Sequence, residues 1–510
     1  MLAIIDSVAL LGLNGQKVRV EVDVSHGLPC LEIIGLPDAA VREAKDRVRT
    51  AIKNSSLDFP IQRITVNLAP ADLRKEGPIF DLPIAVGILA ATEQINPEIV
   101  ADLLFIGELS LDGSVRGVHG VLPLVLAARE LGIKKVVVPL ENAPEAALVR
   151  DVEIFGIQTL AELAVALRGE AELQPSIVEE DVFLSCSEGE NLDFADVKGQ
   201  LAAKRALEVA AAGGHNLLML GSPGCGKTML ARRLPSILPD LTFEEAIEVT
   251  KIHSLAGQLS SQNPLVRKRP FRAPHHTSSS TSIVGGGRVP KPGEISLAHH
   301  GVLFMDELPE FHKNTLEALR QPLEDGCVNV SRVAASVSFP ANLMLVGAAN
   351  PCPCGYQLDK EKECTCTPFQ VQKYLHRISG PLLDRIDIHL EVPKISYSEL
   401  NETAPGESSQ QIKVRVEQAR AIQRERFKER LISCNAAMGT KEVRLFCKLD
   451  QSGTNLLKEA FTRMSLSARS YNRILKVART IADIDNSGAI LPHHIAEAIQ
   501  YRGLDRLFRV

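Results

Sequence analysis

Tryptophan is absent from this 510-residue chain and aromatics are scarce, with 16 Phe and 5 Tyr. That excludes a surface built from stacked aromatic platforms and a belt of interfacial aromatics. Long apolar runs are missing too: the best stretch, residues 82–91 (LPIAVGILAA), reads as a core segment and is well short of a membrane span. The amino-terminal MLAIIDSVAL has no basic stretch and meets Asp6 almost at once, so it reads as no secretory leader and a cytoplasmic setting. Without an export signal, the ten cysteines imply a reducing compartment, where clustered thiols mean metal or redox chemistry rather than disulfides. An excess of positive charge is also lacking, since the net charge is −5. Hydrophobic residues at 45% and charged residues at 23% exclude a disordered or fibrous chain, and the length implies roughly three domains.

The charge is unevenly distributed. Residues 1–168 are net −6, the stretch 169–193 is net −8 with no basic residue, and 194–510 is net +9. An acidic connector therefore separates an acidic front domain from a basic remainder, a hint of an anionic partner. The front 168 residues alternate strand-like segments (KVRVEVDVS, LEIIGL, RITVNLA, KKVVVP) with helix-like ones (DAAVREAKDRVRTAIKNS, DLPIAVGILAATEQ, LPLVLAARELG), an α/β or α+β pattern. A second break, NETAPGESSQQ at 401–411, precedes a helical remainder.

Gly221-Ser-Pro-Gly-Cys-Gly-Lys-Thr228 matches the phosphate-binding pattern G-x-x-x-x-G-K-[ST], between an apolar strand (HNLLMLG) and a helix (MLARRLPSIL). Gly221, Ser222, Pro223, Gly224, Cys225 and Gly226 would turn N–H groups toward phosphate oxygens at a helix N-terminus. Lys227 would reach the β- and γ-phosphates of ATP, and Thr228 would ligate Mg²⁺. Asp306, 79 residues after Lys227, closes the apolar strand Gly301-Val-Leu-Phe-Met-Asp-Glu307. Asp306 would hold Mg²⁺ through water and Glu307 would polarise the attacking water. Asn350, ending another apolar strand, is placed to sense the γ-phosphate. Arg385, in LLDRID, is the candidate arginine finger offered to a neighbouring subunit, with Arg377 as runner-up. Arg469, opening the helix RSYNRILKVARTIADI, suits a second sensor.

This order of motifs is similar to that of AAA+ ATPases, and FADVKGQ, with Val197 and Gly199, resembles their adenine-wrapping segment. FRAPHHTSSS (271–280), PGEISLAHHGVLFMDELPEF (292–311), NPCPCGY (350–356) and RISGPLLDRIDIH (377–389) are more specific. Together they resemble the magnesium-chelatase-like YifB/ComM family over essentially the whole chain. GELSLDGSVRGVHGVLPLVLAARELGIKKVVVPLENAPE (107–145) resembles the Lon protease-like domain, but Ile79 stands where the serine nucleophile belongs and Leu122 where the lysine base belongs. No peptidase activity is expected. The expected fold class is α/β: a Lon/S5-like α+β domain (1–168), an acidic linker (169–193), a P-loop AAA+ parallel-sheet core (194–400) and a helical lid (401–510).

Cys352, Cys354, Cys364 and Cys366 form C-x-C-x₉-C-x-C, four thiolates able to hold Zn²⁺ tetrahedrally, directly after Asn350. The gap between Lys227 and Asp306 carries Arg267, Lys268, Arg269, Arg272, His275, His276, Arg288 and Lys291, basic loop material suited to a phosphate backbone. A basic helix over 412–431 is as readily a solvated, internally paired face as a DNA contact. A trans finger requires a neighbour, and the resemblance implies a homohexamer. It further implies a DNA motor acting on single-stranded, forked or junction DNA by branch migration during natural transformation or recombination, with no membrane partner. The alternatives are a metal-chelatase-type motor subunit and a non-translocating AAA+ assembly switch.

Overall fold

The computed structural model describes residues 1–177, 192–260, 262–287, 290–331, 336–359, 361–395, 399, 406–430, 432–464 and 466–508. Most of the acidic connector, residues 401–405 of the break at 401–411, and Arg288 lie outside the described residues. The chain divides into two units. One comprises Met1–Cys186, Ala246–Val266 and Ser331–Val337; the other comprises Ser187–Glu245, Arg267–Val330 and Ser338–Val510. Residues 194–400 are thus not one uninterrupted body, because two of their segments cluster with the front unit. Among the described residues no helix is long and apolar enough to cross a membrane.

The first unit is built on a seven-stranded mixed sheet. Its strands are β1 (Leu2–Leu11), β2 (Asn14–Ser25), β3 (Cys30–Ile34), β4 (Arg63–Ala69), β5 (Leu104–Phe105), β8 (Lys135–Pro139) and β9 (Glu153–Ile157), with a small hairpin of β6 (Glu108–Leu109) and β7 (Val115–Arg116) between β5 and β8. The spatial order is β3-β4-β2-β1-β5-β8-β9. β2 runs antiparallel to β1 and β4, and the remaining pairs are parallel. The amino-terminal strand β1, not among the strand-like segments read from the sequence, pairs with β2 from Leu2↔Asp23 to Leu11↔Asn14. Asp38 caps the helix Ala39–Asn54 by accepting from Val41 N at 2.8 Å. The helix Asp81–Ala91 is buried on every side, which explains its unbroken apolar run. At Gly87 a Cβ would come within 2.5 Å of Val22, so glycine permits the helix to lie close on the sheet. The segment 246–266 joins this unit through buried polar contacts: Gly120 N donates to Ser254 O at 3.2 Å, Leu122 N donates to Glu145 Oε1 at 2.9 Å, and Ser254 Oγ donates to the same carboxylate.

The second unit holds a five-stranded all-parallel sheet in the order β11-β14-β17-β10-β18. These strands are β10 (Leu217–Leu220), β11 (Phe271–Arg272), β14 (Val302–Met305), β17 (Met344–Ala349) and β18 (Ile388–Glu391). Two small ribbons, β12 (Gly285–Gly286) with β13 (Lys291–Pro292) and β15 (Cys327–Ser331) with β16 (Ser336–Pro340), sit in the connections. β10, β14 and β17 are buried along their whole length, as a sheet covered on both faces requires. After residue 408 come the helices Ser409–Arg426, Thr440–Phe446, Gln451–Arg463, Ala468–Ile484 and Pro492–Gln500. The first starts on a Ser408/Gln411 capping box and ends at Arg426, so the basic helix expected over 412–431 is shifted toward its amino end.

Candidate nucleotide site

Three strands end side by side at the carboxyl edge of the parallel sheet. β10 runs into the phosphate loop, β17 into Asn350 and β14 into Asp306. Gly226, at φ +95°, precedes the helix that begins at Lys227, and Gly224, at φ +79°, has open space where a Cβ would project. That bare cradle is what close approach of a phosphate chain needs. The Lys227 ammonium donates to Gly221 O at 2.6 Å, to Ser222 O at 3.1 Å and to Asn350 Oδ1 at 3.3 Å. Thr228 Oγ1 donates to Asp306 Oδ2 at 2.7 Å. A hydroxyl and a carboxylate so paired, beside an amine and an open glycine loop, form a donor set suited to a nucleoside triphosphate with Mg²⁺. Glu307 follows Asp306 in the left-handed region at φ +51°, with a half-exposed carboxylate 3.4 Å from His276 Nδ1.

Cys225 is buried, with its Sγ 3.7 Å from Lys227 Nζ. Val197 is buried and lines a cavity of about 710 Å³ with Gly199, Lys204, Arg205 and Arg415. The neighbouring Gln200 donates from Nε2 to Pro393 O at 2.6 Å and to Cys225 O at 3.5 Å, tying this segment to the phosphate loop.

Arg385 and Arg469 are not brought to Lys227. Arg385 precedes β18, Arg469 pairs with the neighbouring Asp384, and both line a second cavity, of about 820 Å³, with Asn216, Gly301 and Leu343, residues that lead into β10, β14 and β17. This cavity therefore lies at the amino edge of the sheet, opposite the phosphate loop. Arg385 pairs with Glu324 and donates from Nη1 to Pro381 O at 2.7 Å; Arg469 pairs with Asp384 at 3.5 Å. Arg377 is half-exposed and pairs with Glu310 at 2.7 Å. Deeper in the fold is a buried network with no local sequence signal. His215 Nδ1 lies 3.0 Å from Asp387, His215 Nε2 lies 2.8 Å from Thr480, and Arg473 faces Asp387. Burial opposes ionisation of Asp387, yet Arg473 and His215 hold its carboxyl well below the usual range. His276 was legible only as a polar loop residue, because its approach to Glu307 depends on β11 lying beside β14.

Several cations expected to face an anionic partner are engaged within the fold. Arg269 donates to Pro239 O at 2.6 Å, to His300 O at 2.7 Å and to Glu245 at 2.8 Å, and Arg272 holds Glu294 bidentately at 2.6 and 2.8 Å. On the basic helix, Lys413 pairs with Asp240 at 2.6 Å, Arg415 with Glu208 and Glu407, and Arg426 with Asp483; Arg430, beyond its end, pairs with Glu442 at 3.0 Å. Apart from Lys413–Glu417 at 3.7 Å, these partners lie outside the helix, so these cations are engaged by the rest of the fold rather than by the intrahelical pairs expected.

The four clustered cysteines come together. Cys352 Sγ lies 3.3 Å from Cys354 Sγ and 3.6 Å from Cys364 Sγ, Cys354 Sγ lies 3.5 Å from Cys364 Sγ, and Cys354 N donates to Cys366 Sγ at 3.4 Å. All four sulfurs lie within 4.8 Å of one another. Val371, Tyr374, Leu375, Leu507 and Phe508 pack around them. Burial pushes the Cys352 thiol up, while backbone N–H groups, led by that of Tyr356, hold the Cys354 thiol down.

Strand order, phosphate loop and the Thr228–Asp306 pair define a P-loop nucleotide-binding protein with an AAA+-type α/β core and a helical carboxyl-terminal region. Comparison with known proteins narrows the class. Family models match residues 193–400 (magnesium chelatase, subunit ChlI), 20–142 (subunit ChlI of Mg-chelatase) and 406–502 (magnesium chelatase, subunit ChlI C-terminal). The chain is 46% identical over 512 residues to competence protein ComM of Haemophilus influenzae, covering 100% of this chain and 99% of that one. It is 46% identical over 507 residues to YifB of Escherichia coli, covering 99% and 98%. Similarity to the magnesium-chelatase 67 kDa subunit of Heliobacterium mobile is 29% over 188 residues, covering 31% of this chain and 28% of that subunit. The chain belongs to the YifB/ComM magnesium-chelatase-like family. Membership points to an ATPase that uses ATP and Mg²⁺.

Proposed function

We propose that this protein is an ATP-hydrolysing, ring-forming DNA motor, a homohexamer that drives branch migration on single-stranded, forked or junction DNA. The observation that carries the ring is the split of the chemistry: Lys227, Thr228, Asp306 and Asn350 at the carboxyl edge of the sheet, Arg385 and Arg469 at the amino edge. A finger from one copy then completes the site of the next. In this reading Val197, Gly199 and residues 221–228 hold ATP, Thr228 and Asp306 hold Mg²⁺, and Glu307 orients the attacking water. Arg385 neutralises charge on the transferred phosphoryl group and Arg469 acts as a second sensor. Mg²⁺ supplies charge neutralisation between the phosphate oxygens when bound. The four cysteines hold Zn²⁺. The front unit is a Lon/S5-like fold retained for assembly or substrate guidance rather than peptide cleavage.

DNA is supported by the net +9 of residues 194–510 and by the similarity to a protein named for competence, which suggests integration of transforming DNA. A chelatase-type motor subunit is the second reading. It is weaker because the magnesium-chelatase relative matches only 31% of the chain. Strand displacement from forked or four-way DNA by the purified protein tests the motor. Lys227→Ala is expected to abolish ATP-driven displacement while leaving salt-sensitive DNA binding largely intact. ATP hydrolysis indifferent to DNA, with no salt-sensitive binding, would reject it.

A further inference from the structure

We propose that the four-cysteine zinc site buttresses the phosphate loop, so that the metal sets the affinity of the P-loop for nucleotide. The inference rests on the zinc reading above and adds a task to it. A tetrahedron with Zn–S bonds of about 2.3 Å has corners about 3.8 Å apart. The sulfur separations of 3.3, 3.5 and 3.6 Å are close to that spacing before any ion pulls the ligands into place.

Two links run from this cluster to the phosphate loop. The first is Gly355, between Cys354 and Tyr356. It sits at φ +85°, and a Cβ there would meet Pro223 Cδ at 2.6 Å and Cγ at 2.7 Å. The backbone of the cysteine loop thus lies directly on the proline of the phosphate loop, and Gly355 N donates to Cys352 O at 3.0 Å, tying that contact to a ligand residue. The second link starts at Asp359, in the stretch between the two cysteine pairs. It accepts from Glu361 N at 2.9 Å and from Lys362 N at 3.2 Å, and pairs with Lys394 at 2.6 Å. Lys394 continues the segment that follows β18, whose Val392 O stands 2.4 Å from where a Cβ on Gly221 would be and whose Pro393 O takes the Gln200 amide. Asn350, two residues before Cys352, receives the Lys227 ammonium. Pro223, Gly221 and Lys227 are therefore each braced by chain anchored at the cysteines.

Apolar side chains pack around the cysteines themselves, but the stretch between the two pairs is mostly polar, and cross-linking the loop at four points removes conformational freedom that this packing leaves. Zinc held by four thiolates would act through the loop, as a positioning element, with no coordination position left for nucleotide or water. Its loss releases Gly355 from Pro223 and raises the entropic cost of ordering the phosphate loop around the triphosphate.

The test uses the full-length protein prepared without added zinc. Bound zinc is measured by elemental analysis, and affinity for a fluorescent ADP analogue is measured before chelator treatment, after it, and after zinc is returned. The expected result is about one zinc per chain and roughly five- to tenfold weaker nucleotide binding after stripping, restored by zinc. Protein that never carries zinc overturns the metal reading. Stoichiometric zinc whose removal leaves affinity unchanged overturns the coupling alone. Should stripping cost helical signal by circular dichroism, Gly355→Ala decides: weaker nucleotide binding at retained helical content supports the brace, and unchanged affinity overturns it. Faster amide exchange over residues 221–228 in the stripped protein is a readout that owes nothing to hydrolysis.

Discussion

Arg385→Ala should stop ATP turnover while leaving the P-loop able to bind nucleotide, and the defect should be repaired by a neighbour. Lys227 stands at the carboxyl edge of the parallel sheet and Arg385 at its amino edge, so one chain cannot supply both groups to one phosphate. Removing a finger lowers turnover by about 10³-fold or more, which corresponds to about 4 kcal/mol of transition-state stabilisation. Lys227→Ala should be as inactive for a different reason, the loss of the ammonium that reaches the phosphates. Equal mixing of the two inactive variants, followed by ring assembly, pairs an intact P-loop with an intact finger at roughly one site in four. Turnover should therefore rise from near zero to about a quarter of the wild-type rate per chain, if sites act independently. The readout is phosphate release from the mixture against each variant alone, with thermal melting to confirm that both are folded. Glu324→Gln is the control, since it removes the partner that Arg385 now holds and leaves the guanidinium in place. A mixture as inactive as its parents would refute the trans arrangement. Complementation by Arg377→Ala, with Arg385→Ala still active alone, would move the finger to Arg377.

Other expectations follow from buried charge and from the front unit. Asp81 is fully buried and held bidentately by Arg47 at 2.7 and 3.0 Å, so Arg47→Ala should destabilise the front unit by about 3–5 kcal/mol in denaturant unfolding, and a loss below 1 kcal/mol would contradict the pairing. Burial, offset in part by Arg47, raises the Asp81 carboxyl to about 6. Its folded value lies above its unfolded one, so stability of that unit should fall as pH rises from about 4 to about 6, and Asp81→Asn should flatten the slope. His389 behaves in the opposite sense. Burial, then Arg502, push its imidazolium down to about 4, so stability of the second unit should be lost as pH falls from about 6.5 to about 4, less so in His389→Gln. Casein incubated with the pure protein and ATP should remain intact, because hydrocarbon side chains occupy positions 79 and 122; cleavage that survives further purification would contradict this.

What can be read without coordinates is what neighbouring residues encode among themselves. The phosphate loop is legible because glycines, a lysine and a threonine must occur in that order for one strand-to-helix turn to face an anion. Asp306 and Asn350 are legible because each ends a short, fully apolar strand. The four cysteines are legible from their spacing alone. Motif order determined the nucleotide chemistry, spacing the candidate metal ligands, and local periodicity the α/β character of the chain.

Only tertiary structure decided how these pieces meet. With β17 next to β10, Asn350 stands beside Lys227, and the helix after β10 carries Thr228 across the end of β17 to Asp306 at the end of β14. The same sheet places Arg385 and Arg469 at its opposite edge, and the segment 246–266, which lies between Lys227 and Asp306 in sequence, belongs to the front unit. Arg269, Arg272 and the cations of the helix Ser409–Arg426 read as a basic surface until the fold pairs them with carboxylates tens or hundreds of residues away. A turn is specified by local sterics and hydrogen bonding. Strand order and ion pairing depend on which distant segments share a core, and no short stretch of residues carries that information.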